Sequence, residues 1–311
     1  MPGGPVSVDD IAAPGPLGPD DVLLAMRRAP INPADLLQIA GRYAFPSTLP
    51  QQLGAEGVGE VMGVGAEVEG LMLGDLVLPL SRGNWTTHRL LNQRDLIRLP
   101  DGLPIDSAAM LRINPATAWR LLHQQEARPG EWIIQNGATS MVARWVRRLA
   151  ADKHRPVLNV VRRTGSLPTE MPMAEDGDGL VATVERITGG GHVTLALDCV
   201  AGSASGRLAQ SLSPDGTMLV YGHLSGKPCV IPSPLLTGRG LTVRGFSLRP
   251  SEARDDVATL HGLYNRLAAI AAEPAMAPHV ATTYPLDALP EALAHAARPG
   301  LGGRVMLALD A

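Results

Sequence analysis

The stretch IIQNGATSMVARWV, residues 133–146, runs a short apolar segment through small residues into a helical pattern. A strand that feeds a helix N-terminus offers unpaired backbone N–H groups and the positive end of a helix dipole, which suits a pyrophosphate. Dinucleotide loops usually place glycines where the backbone meets the phosphates; here Gly137 alone stands clear. An ordinary strand-to-helix turn is the competing reading. The next apolar run ends in LNVVRRTG. An acidic residue at such a place holds a ribose 2′-hydroxyl, whereas arginine accommodates a 2′-phosphate. Arg162 and Arg163 therefore favour NADPH, against a plain solvated turn. In MLVYGHLSG, a strand ends at Tyr221-Gly222-His223, and ligands of doubly wound sheets bind outside the carboxyl ends of strands. His223 by itself reads as a loop residue.

Tyr43 raises a different question. The chain has only 4 Tyr, 4 Trp and 2 Phe in 311 residues. Tyr43 and Phe45 nevertheless fall together in GRYAFP, between Gly41 and Pro46. Such a punctuated loop is not an obvious place for a core aromatic.

These residues need elements to hold them. Up to about residue 105, DVLLAMRRAPI, GVGEVMGVGAEVEG, GDLVLPL and DLIRLP read as short strands between Gly/Pro turns. No helical period stands out there, so an all-β front, plausibly a partly open barrel, is expected. DSAAMLRINPATAWRLLHQQ reads as helix restarted near Pro115. Trp132–Ile134 form a short, continuous apolar run, as expected of a strand covered on both faces, and residues 157–161 are the next apolar run. Between them Val142, Trp145, Val146, Leu149 and Ala150 recur on one helical face. GLVA at 179–182, VTLALDCV, TMLVYG and LTVRGF are further strand candidates, with GRLAQSL as a helix. Strands alternating with helices predict a doubly wound parallel sheet. The tail carries an amphipathic helix from about 250 and ends in a strand, GGRVMLALD.

Bulk properties exclude several classes. A net charge of −3 without runs of like charge gives no footprint for nucleic acid or an anionic membrane. No apolar stretch reaches the roughly 18 residues of a membrane span. MPGGPVSVDD lacks a basic segment followed by an apolar one. A cytoplasmic protein is the default expectation. Cys199 and Cys229 both sit in apolar sequence and read as buried thiols. The front holds no cysteine; Glu56 and His88 remain, and two ligands do not close a tetrahedral zinc site.

Together these features resemble the zinc-independent medium-chain dehydrogenase/reductases, most of all the mitochondrial-type trans-2-enoyl-thioester reductases. INPADLLQIAGRY, GAEGVGEVMGVGAEVEGLMLGDLVLP, NWTTHRLL, LRINPATAWRLL, IIQNGATSMVA, LNVVRR, MLVYG and VRGFSL carry the resemblance, in family order, over roughly residues 5–311. It implies an α/β protein: a GroES-like β-barrel catalytic domain from 1–113 and 249–311, with a doubly wound Rossmann domain, 114–248, inserted. It further implies NADPH as cofactor, an acyl thioester of CoA or acyl carrier protein as substrate, and a homodimer. Hydride would pass to the β-carbon and a proton to the α-carbon of the enoyl group.

By the same matching, Tyr43 is the candidate proton donor, with Phe45 and Trp85 lining the substrate pocket. Asn114 would touch the cofactor near the nicotinamide. Thr139, Ser140, Met141 and Val142 would form the pyrophosphate loop, and Arg162, Arg163 and Thr164 would approach the 2′-phosphate. Tyr221, Gly222, His223 and Leu224, with Phe246, Ser247 and Leu248, would border the nicotinamide and the acyl group. Arg304 stands where the family has a lysine. Met141 and Ala143 replace two family glycines, and GGPVSVDD begins where the family's first strand would already be ending. Met141 keeps a non-catalytic dinucleotide-binding homologue in play, and fold alone does not separate enoyl from quinone or enone reduction.

Overall fold

The computed structural model describes residues 5–43, 48–126, 128–248 and 255–310. The chain divides into two compact units, Met1–Ala116 with Asp255–Ala311, and Thr117–Arg254.

The first unit is built on β1 (Asp21–Pro30), β2 (Val58–Val64), β3 (Leu76–Pro79), β4 (His88–Asn92) and β5 (Leu96–Arg98). Its sheet has the order β12-β13-β1-β2-β3-β5, where β12 is Val280–Pro285 and β13 is Arg304–Ala308, and β4 pairs with β1. One edge of β1 is shared: Asp21–Ala25 pair with β4, and Arg28–Pro30 pair with β13. Two irregularities against β2, at Leu23/Leu24 and Met26/Arg28, accompany this hand-over; such breaks bend a strand and increase its twist. Val22, Leu24 and Met26 are buried at alternate positions, as the period of two requires. They join Val61, Val77, Leu96, Val305 and Leu307 in one core. Each such fully buried side chain stabilises by roughly 1.5–3 kcal/mol.

The front is not all β. A helix, α1 (Pro33–Ile39), interrupts it. Asn32 is its N-cap, Pro33 opens it, and the Asn32 N–H donates to the Asp35 carboxylate at 2.9 Å. Proline suits that position because its missing N–H would have had no helical partner, and the Asp35 contact is one arm of a capping box. β4 and β12 also lie outside the sequence-based expectation. The restarted helix comprises α2 (Ile105–Ala109) and α3 (Asn114–Leu122).

The second unit holds a six-stranded parallel sheet of order β11-β10-β9-β6-β7-β8. Its strands are β6 (Trp132–Gln135), β7 (Val157–Val161), β8 (Met173–Glu175), β9 (Val193–Asp198), β10 (Thr217–Val220) and β11 (Thr242–Gly245). Four helices connect them: α4 (Met141–Asp152), α5 (Leu180–Thr188), α6 (Ser203–Gln210) and α7 (Ser233–Arg239). The strand GLVA is corrected: these residues open α5. Leu180 and Val184 are buried one turn apart while Val181 is exposed, and Gly189, at φ 61°, ends the helix in the left-handed region. The sixth strand is β8, only three residues long. In the tail, α8 (Val257–Ala271) precedes β12, and α9 (Leu289–Ala296) joins β12 to its parallel neighbour β13.

Candidate functional site

The candidate residues form two groups, one in each unit. In the second unit the strand order reverses between β6 and β9. A doubly wound sheet opens its ligand crevice at such a reversal, outside the carboxyl ends of the strands. Asn136, just past β6, bridges the gap: its Nδ2 donates to Asp198 Oδ1 at 2.6 Å, and its Oδ1 accepts the Cys199 N–H at 2.8 Å. Asp198 is fully buried and also accepts the Val200 and Ala201 N–H groups and the Ser205 hydroxyl. These bonds fold the chain sharply away from β9.

Two glycines are required by close approach. Gly137 has φ 56°, and a Cβ there would lie 2.3 Å from Cys199 Sγ. A Cβ on Gly222 would lie 2.6 Å from the Cys199 carbonyl oxygen. Helix α4 follows at once. Ser140 is its N-cap and accepts the Ala143 N–H at 3.2 Å, with Thr139 exposed, Met141 half-buried and Val142 buried. Ala143 fits, being fully buried without a large side chain. Arg162, Arg163 and Thr164 are all exposed beyond β7.

The Tyr221 hydroxyl is buried beside the Cys199 thiol and Ser140, and makes no hydrogen bond of good geometry. Burial, with the neighbouring Cys199, pushes its pKa well above the ordinary phenol range, so the hydroxyl stays protonated. Burial likewise pushes the Cys199 thiol up to about 11. Cys229, in contrast, is exposed, which corrects the expectation of two buried thiols. His223 is exposed and its Nε2 lies 3.0 Å from the Lys227 carbonyl oxygen, a contact within its own loop. Leu224 and Ser247 are exposed, Phe246 and Leu248 half-buried. The Phe246 N–H donates to the Val220 carbonyl at 2.8 Å.

The first unit contributes a buried ionic cluster. Asp35 Oδ1 accepts the Ala55 N–H at 2.9 Å and Arg82 Nη2 at 3.1 Å. Glu56 Oε1 accepts Asn32 Nδ2 at 2.9 Å, and Oε2 accepts the Ile113 N–H at 2.8 Å. Arg112 Nη1 donates to the Ala55 carbonyl at 2.8 Å. Arg304, on β13, reaches the Ile31 carbonyl at 3.4 Å and attracts both carboxylates. Burial pushes Asp35 up to about 6 and Glu56 up to about 7, against the pull of N–H donors and arginines. Asn114 follows directly. It is buried, and its Nδ2 has no hydrogen-bond partner. Tyr43 is half-buried, with the Arg82 guanidinium carbon 5.4 Å from its ring centroid. Trp85 is 7% exposed within the core, and its Nε1 donates to the Pro30 carbonyl at 3.4 Å. Phe45 lies outside the described residues.

Glu56 supplies a pH test. Its carboxyl goes from about 4.5 unfolded to about 7 folded. Between these values the native chain holds a proton that the unfolded chain has released. The stability this group contributes is therefore complete below about pH 4.5 and lost as pH rises through about 7. At about 1.4 kcal/mol per unit, that is on the order of 3 kcal/mol. Glu56→Gln cannot ionise. Denaturant titrations between about pH 5 and 8 should show the variant gaining on the parent as pH rises. A difference that stays constant with pH would contradict the shift.

A zinc ion does not fit this cluster. Both Glu56 oxygens are taken by N–H donors. His88 is exposed on β4 beside Thr87. Among the described residues no three His, Cys, Asp or Glu side chains are grouped to hold a metal ion.

Residues 18–101 match the alcohol dehydrogenase GroES-like domain, and 176–307 match the zinc-binding dehydrogenase domain. Human mitochondrial enoyl-[acyl-carrier-protein] reductase is 35% identical over 266 residues, 79% of this chain and 71% of the relative. The chain belongs to the enoyl-thioester reductases of the medium-chain dehydrogenase/reductase superfamily. Etr1p of Candida tropicalis, solved with NADP and crotonyl-CoA, is 27% identical with a TM-score of 0.82, covering 94% of this chain and 92% of its own. A Bacillus thuringiensis structure named as an NADPH:quinone reductase is also 27% identical, with a TM-score of 0.87 over 95% of this chain and 92% of its own. The enoyl-[acyl-carrier-protein] reductase relatives from human, mouse, Xenopus tropicalis and Candida tropicalis are all named mitochondrial, which overturns the cytoplasmic expectation.

The cluster of Asn32, Asp35, Arg82 and Arg112 went unread in the sequence. The available signal was Asn-Pro-x-Asp, a helix-start signature whose acid then proves buried rather than solvated.

Proposed function

We propose that this chain reduces the C=C bond of a 2-enoyl thioester with NADPH. The observation that carries the reading is a pair of orphaned polar atoms. Among the described residues, Asn114 Nδ2 and the Tyr221 hydroxyl are both buried without a hydrogen bond of good geometry, the hydroxyl lying beside Cys199 and Ser140. Such groups cost roughly 1–3 kcal/mol each unless a partner arrives. Both belong to residues matched to cofactor contacts. In the second unit, the Tyr221 hydroxyl, the α4 N-terminus and two exposed arginines after β7 are donors suited to a phosphorylated dinucleotide.

When bound, NADPH supplies the hydride that ends on the β-carbon. Ser140, Met141 and Val142 hold the pyrophosphate at the helix start, and Arg162, Arg163 and Thr164 take the 2′-phosphate. Asn114 and Tyr221 orient the nicotinamide end, and Arg304 adds positive charge beside the two buried carboxylates. Tyr43 hydrogen-bonds the thioester carbonyl or delivers the proton to the α-carbon. A phenol is protonated at neutral pH, so it is ready to act as an acid. Trp85 serves as an apolar wall in the first unit and Phe246 and Leu248 in the second, with Gly222, His223, Leu224, Ser247 and Thr139 as backbone and loop contacts.

Quinone or enone reduction is the second reading, supported by the Bacillus thuringiensis neighbour. A panel of enoyl-CoA, enoyl-acyl-carrier-protein and quinone substrates with NADPH separates the two. The proposal expects the enoyl thioesters to have the highest kcat/KM; a best substrate among the quinones would reverse it, and cofactor binding without turnover would make the chain a non-catalytic homologue.

The chain is further proposed to form a homodimer through the second unit. β11 is an edge strand with Thr242, Arg244 and Gly245 exposed, and an unpaired edge invites a second copy. Light scattering at micromolar concentration should give twice the chain mass, and the chain mass alone would count against it.

A further inference from the structure

We propose that Arg82 is a positioning residue for the Tyr43 phenol, an inference that rests on the assignment of Tyr43 as proton donor. Three fixed points define the geometry. Arg82 donates from Nη2 to Asp35 Oδ1 at 3.1 Å and to the Gln38 amide oxygen. Its guanidinium carbon stands 5.4 Å from the Tyr43 ring centroid. Its side chain is only 21% exposed, and Asp35 is fully buried.

The anchors are themselves held. Asp35 also accepts the Asn32 and Ala55 N–H groups, so its carboxylate cannot turn away from Arg82. The loop carrying Arg82 is fastened on both sides. Asn84 Nδ2 donates to the Ser81 and Gly54 carbonyls, and Arg89 donates to Asn84 Oδ1 and Ser81 Oγ. Asp35 and Gln38 both lie on α1, and the chain leaves that helix through Gly41, at φ 66°, to reach Tyr43. Arg82 thus ties the helix to the residue that follows it. A planar guanidinium can bond a carboxylate and an amide along its edge while presenting its face to an aromatic ring. An ammonium is a point donor and cannot do both. Between α1 and Tyr43 the described chain is turn and bend, so the ring is carried by neither a helix nor a strand. Arg82 supplies that support.

Misplacing a reacting group by about an ångström can cost roughly a hundredfold in rate. Arg82→Ala should therefore lower kcat about 10- to 100-fold on the best enoyl thioester and leave NADPH affinity within about twofold. Arg82→Lys keeps a cation for Asp35 but loses the planar face. It should fold even if the alanine variant does not, and it should lose kcat in the same direction. The decisive comparison is a double-mutant cycle with Tyr43→Phe. In that background Arg82→Ala, or Arg82→Lys in its place, should cost no further kcat. Equal fold-losses in both backgrounds would overturn the positioning role, as would a kcat within about twofold of the parent for both single Arg82 variants. If Tyr43→Phe alone keeps full kcat, the donor assignment fails and the Arg82 inference falls with it.

Discussion

Tyr43→Phe should fold and melt as the parent does, bind NADPH with unchanged affinity, and lose kcat by roughly 10²–10⁴-fold. The substitution keeps the ring against the Arg82 guanidinium and removes only the hydroxyl. Tyr43 is half-buried, so the change leaves no core cavity. A group that acts only in the transition state lowers kcat and kcat/KM together and leaves ground-state binding alone. Steady-state kinetics with the best thioester, and cofactor titration, read the two effects separately. A variant turning over within about threefold of the parent would assign the proton to water or another side chain.

Arg162→Ala combined with Arg163→Ala should abolish the preference for NADPH over NADH. Both side chains are exposed just past β7, where the chain runs Arg-Arg-Thr-Gly with no acidic residue of its own to hold a 2′-hydroxyl. A hydrogen bond to a charged group is worth about 1.5–3 kcal/mol. Two such contacts, discounted for solvent, give on the order of 2–4 kcal/mol, or roughly 30- to 700-fold in relative affinity. The whole loss should fall on NADPH, and the parent's NADPH affinity should weaken more steeply with salt than its NADH affinity. Equal affinities in the parent, or an unchanged ratio in the double variant, would remove these arginines from the site.

What could be read from sequence follows the range of the forces involved. Val22, Leu24 and Met26 alternate because one face of β1 meets a core, and that pattern is local. The run at β6 is continuous because both faces are covered, and Val142 to Ala150 form one stripe of α4. A short apolar run without flanking context fits strand or helix equally, so GLVA was misassigned where Leu180 and Val184 face the core. Helix α1 has seven residues, too few to show a period, and only its N-terminal signature could have exposed it. The ionic cluster was hidden for another reason. It joins Asn32 and Asp35 with Glu56, Arg82, Arg112 and Arg304, whose proximity is created by strand pairing. Besides the Asn-Pro-x-Asp signature, a charge placed in apolar sequence, as Glu56 is in GAEGVG, was its trace. Cofactor preference, in contrast, was local, because the residues ending β7 are contiguous.

Hydride transfer to the enoyl β-carbon can be followed through the fate of one hydrogen. NADPH deuterated at the transferred position of the nicotinamide is incubated with the purified chain and crotonyl-CoA in ordinary water, and the product is examined by mass spectrometry and NMR. The expected product is butyryl-CoA with a single deuterium at the β-carbon and a solvent-derived proton at the α-carbon. Unreduced crotonyl-CoA, or product without deuterium at the β-carbon, would contradict it.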